Sequence, residues 1–195
     1  NNIVTTNDAE NPKALIQVTG NGSEVIGNVV SNATMPDYPS WESAAILVYE
    51  TENALVKDNV VSDSTVGIGL GGGNWAPGAV DNVIENNIVE TCDKGISVEW
   101  DVTDTQIRNN DIYNNQIGIR ERLNSSYGIP SGTEVHYNNI YDNAAFGVKV
   151  MADDGASLPS SHVLDAIHNW WGAEDGPSDE GPGSGDAVSA NVAFN

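Results

Sequence analysis

Short apolar runs alternate with clusters of Asn, Asp, Ser and Gly along nearly the whole chain. Within each run, Ile or Val occupies every second position, which is the period of a β-strand with one buried face. No window shows the period of an amphipathic helix. The pattern therefore predicts an all-β protein built from many short strands.

One short motif returns every 24 to 31 residues. Its copies begin with Asn or Asp before an apolar residue, at 28–32, 59–63, 87–91, 111–115 and 139–143, with Asn2 opening the series and Asn169, Trp170 and Trp171 closing it. Four copies continue into a Gly-led strand, at 67–70, 95–98, 118–120 and 147–150. Self-similarity at such a period is the signature of a repeat architecture.

Strands this short bury a face only when they stack on neighbouring copies. The repeat predicts a right-handed parallel β-helix of about seven coils, with coils over residues 1–172 and a Gly- and Asp-rich segment, 173–195, that completes or caps them. The recurring Asn is expected to stack from coil to coil and to hydrogen bond along the axis. Asp111 would break this ladder and should be partly exposed or paired.

These motifs resemble a known family. The recurrent Asn-Asn-x-Ile/Tyr and Gly-Ile-x-Val pattern is similar to the parallel β-helix repeat family, which includes pectate-lyase-like proteins. The end of the chain, where Asn169, Trp170, Trp171 and Gly172 precede an acidic Gly-rich stretch, resembles the terminal rung of archaeal and bacterial cell-surface β-helices. The resemblance implies the fold. It does not choose a function, because this fold carries lyases, hydrolases, adhesins and phage spikes.

The net charge of the chain limits the classes of molecule that it can bind. With 7 Lys and Arg against 28 Asp and Glu, the net charge is -21. Such a surface repels nucleic acid and anionic lipid, and no apolar run is long enough for a membrane span. Scarce lysine with abundant carboxylate favours a halophilic, extracellular or cell-surface protein. The chain opens inside a repeat and shows no signal peptide, so we expect a piece of a longer protein.

The Gly-led strands gather three of the seven cations. Alternation points Ile68, Ile96, Ile119 and Val148 inward. It also predicts two outward columns, the first with Gly69, Ser97, Arg120 and Lys149 and the second with Tyr49, Gly71, Glu99, Arg122 and Met151. Glu121 falls at an inward position, where it must be paired or end the strand.

Two interpretations of this cationic face stay open. It could be the cleft of a lyase for acidic polysaccharide, with Arg120 or Lys149 as base and Arg122 binding carboxylates. Such a lyase often uses calcium on oxygen ligands, for which the candidates are Glu99, Asp101, Asp153 and Asp154. Alternatively, Glu99 pairs with Arg120 and Arg122 across rungs on a solvated face. The second interpretation is favoured, because no polygalacturonase or calcium-and-arginine motif can be matched.

Four loops leave the same end of these strands, at 71–80, 100–104, 123–133 and 151–162, and are natural walls of a groove. They carry Trp75, Trp100 and Tyr127, which would stack on sugars or close over the coil as lids. Trp170 and Trp171 are expected to pack at the cap. The acidic segment 174–181 predicts a flexible, solvated tail with at most loose calcium binding.

Three sequons place candidate N-glycosylation at Asn21, Asn32 and Asn124, all in expected turns. Cys92 is the single cysteine and is predicted to be a small buried residue. The leading hypothesis is a surface or secreted structural module that contacts a polysaccharide or surface glycan and requires no cofactor. The alternatives are a polysaccharide lyase or glycoside hydrolase, with calcium if a lyase, and a spike of a halophile virus, which would form a trimer.

Overall fold

The computed structural model describes residues 2–5, 14–34, 44–72, 78–152 and 157–194. Its strands form three parallel sheets within this part of the chain. Sheet A contains β1 (Ile3–Thr5), β4 (Val29–Ser31), β7 (Val60–Ser62), β10 (Ile88–Glu90), β13 (Asp111–Tyr113) and β16 (Asn139–Tyr141). Sheet B contains β2 (Ala14–Val18), β5 (Ala44–Tyr49), β8 (Val66–Gly71), β11 (Lys94–Glu99), β14 (Ile117–Leu123), β17 (Phe146–Ala152), β20 (Gly185–Val188) and β19 (Pro177–Asp179). Sheet C contains β3 (Glu24–Ile26), β6 (Leu55–Lys57), β9 (Val83–Glu85), β12 (Gln106–Arg108), β15 (Glu134–His136), β18 (Leu164–Asp165) and β21 (Val192–Ala193).

From β1 to β18, the chain visits the three sheets in a fixed order. One strand of sheet A is followed by one of sheet B and one of sheet C, and the next strand of sheet A then pairs with its predecessor. Each circuit is one coil, so the coils stack as parallel rungs. The all-β parallel β-helix predicted from the repeat is confirmed. No helix of the described residues is both long and apolar enough to cross a membrane.

Aliphatic side chains fill the interior of the coils. In sheet B, Ile46, Ile68, Ile96, Ile119 and Val148 lie in register on successive strands and are fully buried. Equivalent stacks of Val and Ile come from sheets A and C. The inward direction predicted for these strands is confirmed, because adjacent strands in register place like positions on the same face.

Asparagines form a continuous ladder before sheet A. The Oδ1 atom of Asn110 accepts hydrogen bonds from the backbone N–H and the side-chain amide of Asn87, at 2.9 and 3.0 Å. The same double contact joins each pair of successive members: Asn28, Asn59, Asn87, Asn110, Asn138 and Asn169. An amide both donates and accepts, so Asn59, for example, accepts hydrogen bonds from Asn28 of the preceding coil and donates one to the Lys57 carbonyl in its own turn.

The predicted break in this ladder at Asp111 is wrong. Asp111 pairs with Ile88, and Asn139 pairs with Asp111, each as the first residue of its strand and one position after the ladder. Asn110 and Asn138 therefore occupy the ladder. Asp111 is half-buried and accepts a hydrogen bond from Asn139 Nδ2 at 2.6 Å. The repeat had been aligned one residue out of register in these two copies, which exchanges inward and outward positions.

Glycine is the second residue of strands β8, β11, β14 and β17 of sheet B because no side chain fits there. A Cβ atom on Gly95 would lie 2.6 Å from the carbonyl oxygen of Gly118, and one on Gly118 would lie 2.6 Å from that of Gly147. The side chains of Asn115 and Asn143 fill the adjoining space. These amides continue a second ladder, which ends when Asp186 accepts hydrogen bonds from Asn143.

The acidic segment after Trp171 is part of the helix. Strand β19 lies within residues 174–181 and pairs with β20, and β20 pairs with β17. The flexible tail predicted for this segment is therefore wrong, because its backbone extends sheet B. Cys92 is 3% exposed, and burial raises the pKa of its thiol to about 12. It acts as a small core residue, as expected.

Candidate functional site

The two outward columns predicted on sheet B are present in register. Ser97 pairs with Gly69 and Arg120, and Arg120 pairs with Lys149. In the second column, Glu99 pairs with Arg122. The strands thus bring the candidate catalytic groups of three coils side by side.

Arg120, Glu99, Ser97 and Arg122 form one cluster, which we call the arginine cluster. Ser97 Oγ accepts hydrogen bonds from Arg120 Nε and Nη2, at 3.1 and 2.9 Å, and donates one to Glu99 Oε1 at 2.8 Å. Arg120 Nη2 also pairs with Glu99 Oε1. Arg122 Nη1 lies 3.3 Å from the second carboxylate oxygen of Glu99. A single carboxylate therefore holds two guanidinium groups.

Ser97, Glu99 and Arg120 of this cluster are buried although they lie on the outer face of the sheet, and Arg122 is half-buried. Glu99 is 2% exposed and Arg120 is 5% exposed. The cross-rung ion pairs predicted by the second interpretation are present, but the solvated face that it assumed is wrong. The carboxylate and the guanidinium of Arg120 are engaged with each other, so neither is presented to a ligand here.

Lysines border the arginine cluster on both sides. Burial lowers the pKa of Lys94, and the charge of Arg120 lowers it further. Lys149 places Nζ 4.7 Å from the centre of the Phe146 ring, within the range of a cation–π contact. Lys94 was not among the predicted groups, although its place at the start of a Gly-led strand puts it beside the two columns.

Of the aromatic residues predicted to line a groove, Trp100 is buried and Tyr127 is exposed. Trp100 is 4% exposed and packs against Tyr127, with ring centres 4.7 Å apart. Tyr127 keeps 41% exposure. Trp100 therefore acts as a lid over the coil, and Tyr127 alone of this pair is open to a ligand. Trp75 lies outside the described residues.

The remaining candidates are spread over the surface. Asp101 is exposed, while Asp153 and Asp154 lie outside the described residues, and no group of three His, Cys, Asp or Glu able to hold a metal occurs within the described part. The calcium site stays a prediction. Asn21 is exposed in a turn and Asn32 is exposed directly after β4, whereas Asn124 is 7% exposed and its Oδ1 accepts a hydrogen bond from the backbone of Ser126.

A pocket of about 320 Å³ opens on sheet A near the end of the helix. It is lined by Asp111, Asn139, Tyr141, Asp142, Trp170 and Gly172. Trp170 is 44% exposed, while the neighbouring Trp171 is 2% exposed. Packing at the cap is therefore right for Trp171 and wrong for Trp170. We call this site the tyrosine–tryptophan pocket.

The sequence interpretation missed this pocket through the same one-residue slip. Asn139 pairs with Trp170, so Trp170 points outward and Trp171 turns into the core. The repeat alignment of Asn169 with Asn139 instead matches Trp170 with the buried Ile140. Tyr113 and Tyr141 at equal repeat positions were the available signal for an aromatic column.

A second cleft, of about 340 Å³, contains a buried acid–base pair. Glu121 points inward from β14, is 1% exposed, and its Oε2 lies 2.7 Å from His162 Nε2. Ser131, Thr133 and Ser161 line the same cleft. The inward carboxylate predicted to need a partner has one in His162, which the sequence alone did not connect to it.

Stacked parallel coils with short outward columns define a β-helix protein. Residues 14–163 match the family described as right handed beta helix region, and the chain belongs to this family. Comparison with curated proteins and with solved structures finds no match. The match supports the general family, which fits a structural or carbohydrate-contacting module, and leaves the pectate-lyase-like and halophilic surface types as hypotheses.

Proposed function

We propose that this chain is an extracellular structural β-helix module that contacts carbohydrate through its surface. The observation that carries the proposal is the tyrosine–tryptophan pocket, in which an exposed Trp170 and Tyr141 stand beside Asp111, Asn139 and Asp142. Sugar sites combine aromatic surfaces with a few convergent polar groups. The stack of parallel coils supplies a rigid frame for them.

The arginine cluster supports a structural rather than a lyase role for sheet B. A lyase base must reach the substrate proton and an arginine must reach the uronate carboxylate. Arg120 instead has its guanidinium on Ser97 and Glu99, in a buried position. Opening this face to a substrate would separate Glu99 from the guanidinium of Arg120, its buried ion-pair partner.

An extracellular, halophilic setting is part of the proposal. The net charge of -21 and the exposed sequons at Asn21 and Asn32 support it. We expect the folded chain to lose its β-sheet signal on dialysis from molar potassium chloride to low salt, because its carboxylates then repel each other unscreened. An unchanged circular dichroism spectrum would contradict the halophilic part.

A polysaccharide-cleaving enzyme is the second candidate, favoured by the Glu121–His162 pair in its cleft. A buried carboxylate hydrogen-bonded to an imidazole is the kind of pair that acts as a general acid or base in hydrolysis. Ser131 and Ser161 at the cleft wall offer hydroxyl groups to a ligand. This candidate differs from the lyase at sheet B in both its residues and its reaction.

One experiment separates the two. The folded chain is incubated with insoluble polysaccharides, neutral and acidic, in molar potassium chloride with and without calcium. We expect retention on at least one polymer without release of soluble oligosaccharide. Release that a Glu121→Gln variant abolishes would favour the enzyme, and absence of both retention and release would overturn the carbohydrate role.

A further inference from the structure

An aromatic column on sheet A ends with one ring face uncovered. Tyr113 and Tyr141 pair across adjacent strands, and their rings stack with centres 5.0 Å apart and planes 11° apart. Since Asn139 pairs with Trp170, the residue that follows Tyr141 in the column is Gly172. A Cβ atom on Gly172 would lie 3.0 Å from that of Tyr141. Glycine has no side chain to cover the second face of the Tyr141 ring.

Polar groups surround this open face. Trp170 forms one wall of the pocket, and Asp111, Asn139 and Asp142 supply oxygens and an amide. Asn139 Nδ2 already donates to Asp111 Oδ1 at 2.6 Å, which orients that amide and leaves its own oxygen to accept from a ligand. A flat apolar ring flanked by acceptors suits the C–H face and the hydroxyl groups of a pyranose.

The charge around the pocket is negative. Burial raises the pKa of the Tyr141 hydroxyl, and the carboxylates of Asp111, Asp142 and Glu90 raise it further. The hydroxyl therefore stays protonated as a donor. Among the described residues, none of those lining the pocket is cationic. A ligand carboxylate would meet repulsion here without a counter-charge.

We propose that the tyrosine–tryptophan pocket binds a neutral pyranose unit of a glycan, stacked on the open face of Tyr141 beside Trp170, and rejects uronic acids. The proposal rests on the carbohydrate-contact function proposed above and names its ligand class. It departs from the acidic-polysaccharide ligand expected for the cationic face. The sugar hydroxyls donate to Asp111 and Asp142, and carboxylate acceptors make the strongest such bonds.

The test uses pairs of polymers in which the acidic member carries a carboxylate at C6 and the neutral member carries a methyl ester or a hydroxymethyl group there. Binding of the full chain is measured to polygalacturonate and to its methyl ester, and to polymannuronate against mannan, at the lowest salt that keeps the chain folded. We expect a neutral member to bind at least roughly tenfold more tightly than its acidic counterpart. Equal or tighter binding of the acidic polymers would overturn the ligand class.

Matched variants test the place of binding. Tyr141→Ala and Trp170→Ala are each expected to weaken binding of the neutral polymer roughly tenfold, through the lost stacking surface. Tyr137→Ala, at an exposed tyrosine next to sheet C, is the control and should bind as before. Circular dichroism and the melting temperature check that each variant is folded.

The outcomes separate the two proposals. If a neutral polymer binds and neither pocket variant weakens it, the pocket is wrong and the carbohydrate role stands. If no polymer binds, the carbohydrate role fails as well. An Asp142→Asn variant, at an exposed carboxylate in a left-handed turn that Asn tolerates, is expected to narrow the difference between acid and ester. An unchanged difference would contradict the charge argument.

Discussion

Two outward faces of the same helix behave in opposite ways. On sheet B, Arg120 points away from the core and is only 5% exposed, whereas on sheet A, Trp170 points away from the core and is 44% exposed. Both positions follow from strand alternation. Outward direction therefore does not mean exposure in a solenoid, because the side chains of adjacent rungs decide what covers each position.

The reason for the difference lies in the neighbouring rungs. Arg120 has Ser97 and Glu99 one coil below, and these groups draw its guanidinium down onto the sheet. Tyr141 has an aromatic neighbour below and Gly172 above, so its column stops with a free face. We infer that the outward polar residues of sheet B bind adjacent coils to each other, and that the end of sheet A presents an exposed surface to a ligand.

The largest expected effect distinguishes the two tryptophans at the end of the helix. Trp171→Ala is expected to lower the free energy of unfolding by about 3 to 5 kcal/mol, because it removes a buried ring from the core. Trp170→Ala should change it by less than about 0.5 kcal/mol. Urea unfolding followed by circular dichroism measures both, and similar losses would show that Trp170 also packs at the cap.

The arginine cluster gives the next effect. Glu99→Ala is expected to cost about 3 kcal/mol, since it leaves the buried Arg120 without its carboxylate partner. Arg122 is partly exposed and should contribute less. A double-mutant cycle between positions 99 and 120, read by urea unfolding, should show a clear coupling energy. Additive losses would mean that the buried pair contributes no net interaction.

A smaller effect on the free energy of unfolding is expected at positions 110 and 111, where it tests which residue occupies the asparagine ladder. Asn110→Ala is expected to cost about 2 kcal/mol, because buried groups of Asn87 and Ile84 lose their hydrogen-bond partner. The adjacent Asp111→Ala should cost less than about 0.5 kcal/mol, since Asp111 lies outside the ladder. Thermal unfolding of the two variants compares them directly. The reverse order would restore the register assumed from the repeat.

The smallest effect concerns Asp186, which ends the second ladder. Burial raises the pKa of its carboxyl above the ordinary 3.8, so the folded chain takes up this proton before the unfolded chain does. The charged form therefore destabilises the fold at neutral pH, and that loss disappears as the pH falls through the raised pKa. Asp186→Asn should stabilise the chain by less than about 1 kcal/mol at pH 7, with its amide oxygen still accepting from Asn143.

Unfolding across a pH series measures this difference. The advantage of the Asn variant should shrink toward acid pH as wild-type Asp186 becomes protonated. An advantage that is constant with pH, or that grows in acid, would show that the carboxylate is not destabilised by its site.

The alternation of Ile and Val with Asn-rich turns was sufficient to determine the architecture. Residues such as Ile96 and Ile119 repeat at a spacing that only stacked parallel coils can bury, so the fold and the inward faces follow from local pattern. The two outward columns of sheet B follow as well, because alternation is a property of a single strand.

The tertiary structure decided the register between strands and the burial of the side chains that point outward. A shift of one residue in the length of a coil hardly changes the hydrophobic pattern. It does decide whether Trp170 or Trp171 lies at the surface and whether Asn110 or Asp111 occupies the ladder. Whether Arg120 reaches solvent depends on Ser97 and Glu99, which come from another coil. The contact of Glu121 with His162 joins residues far apart in the chain. Sequence determined the alternation within each strand and the outward columns of sheet B. Packing between coils determined the register at Asn110 and Trp170 and which outward residues a ligand can reach, because exposure depends on neighbours that alternation does not specify.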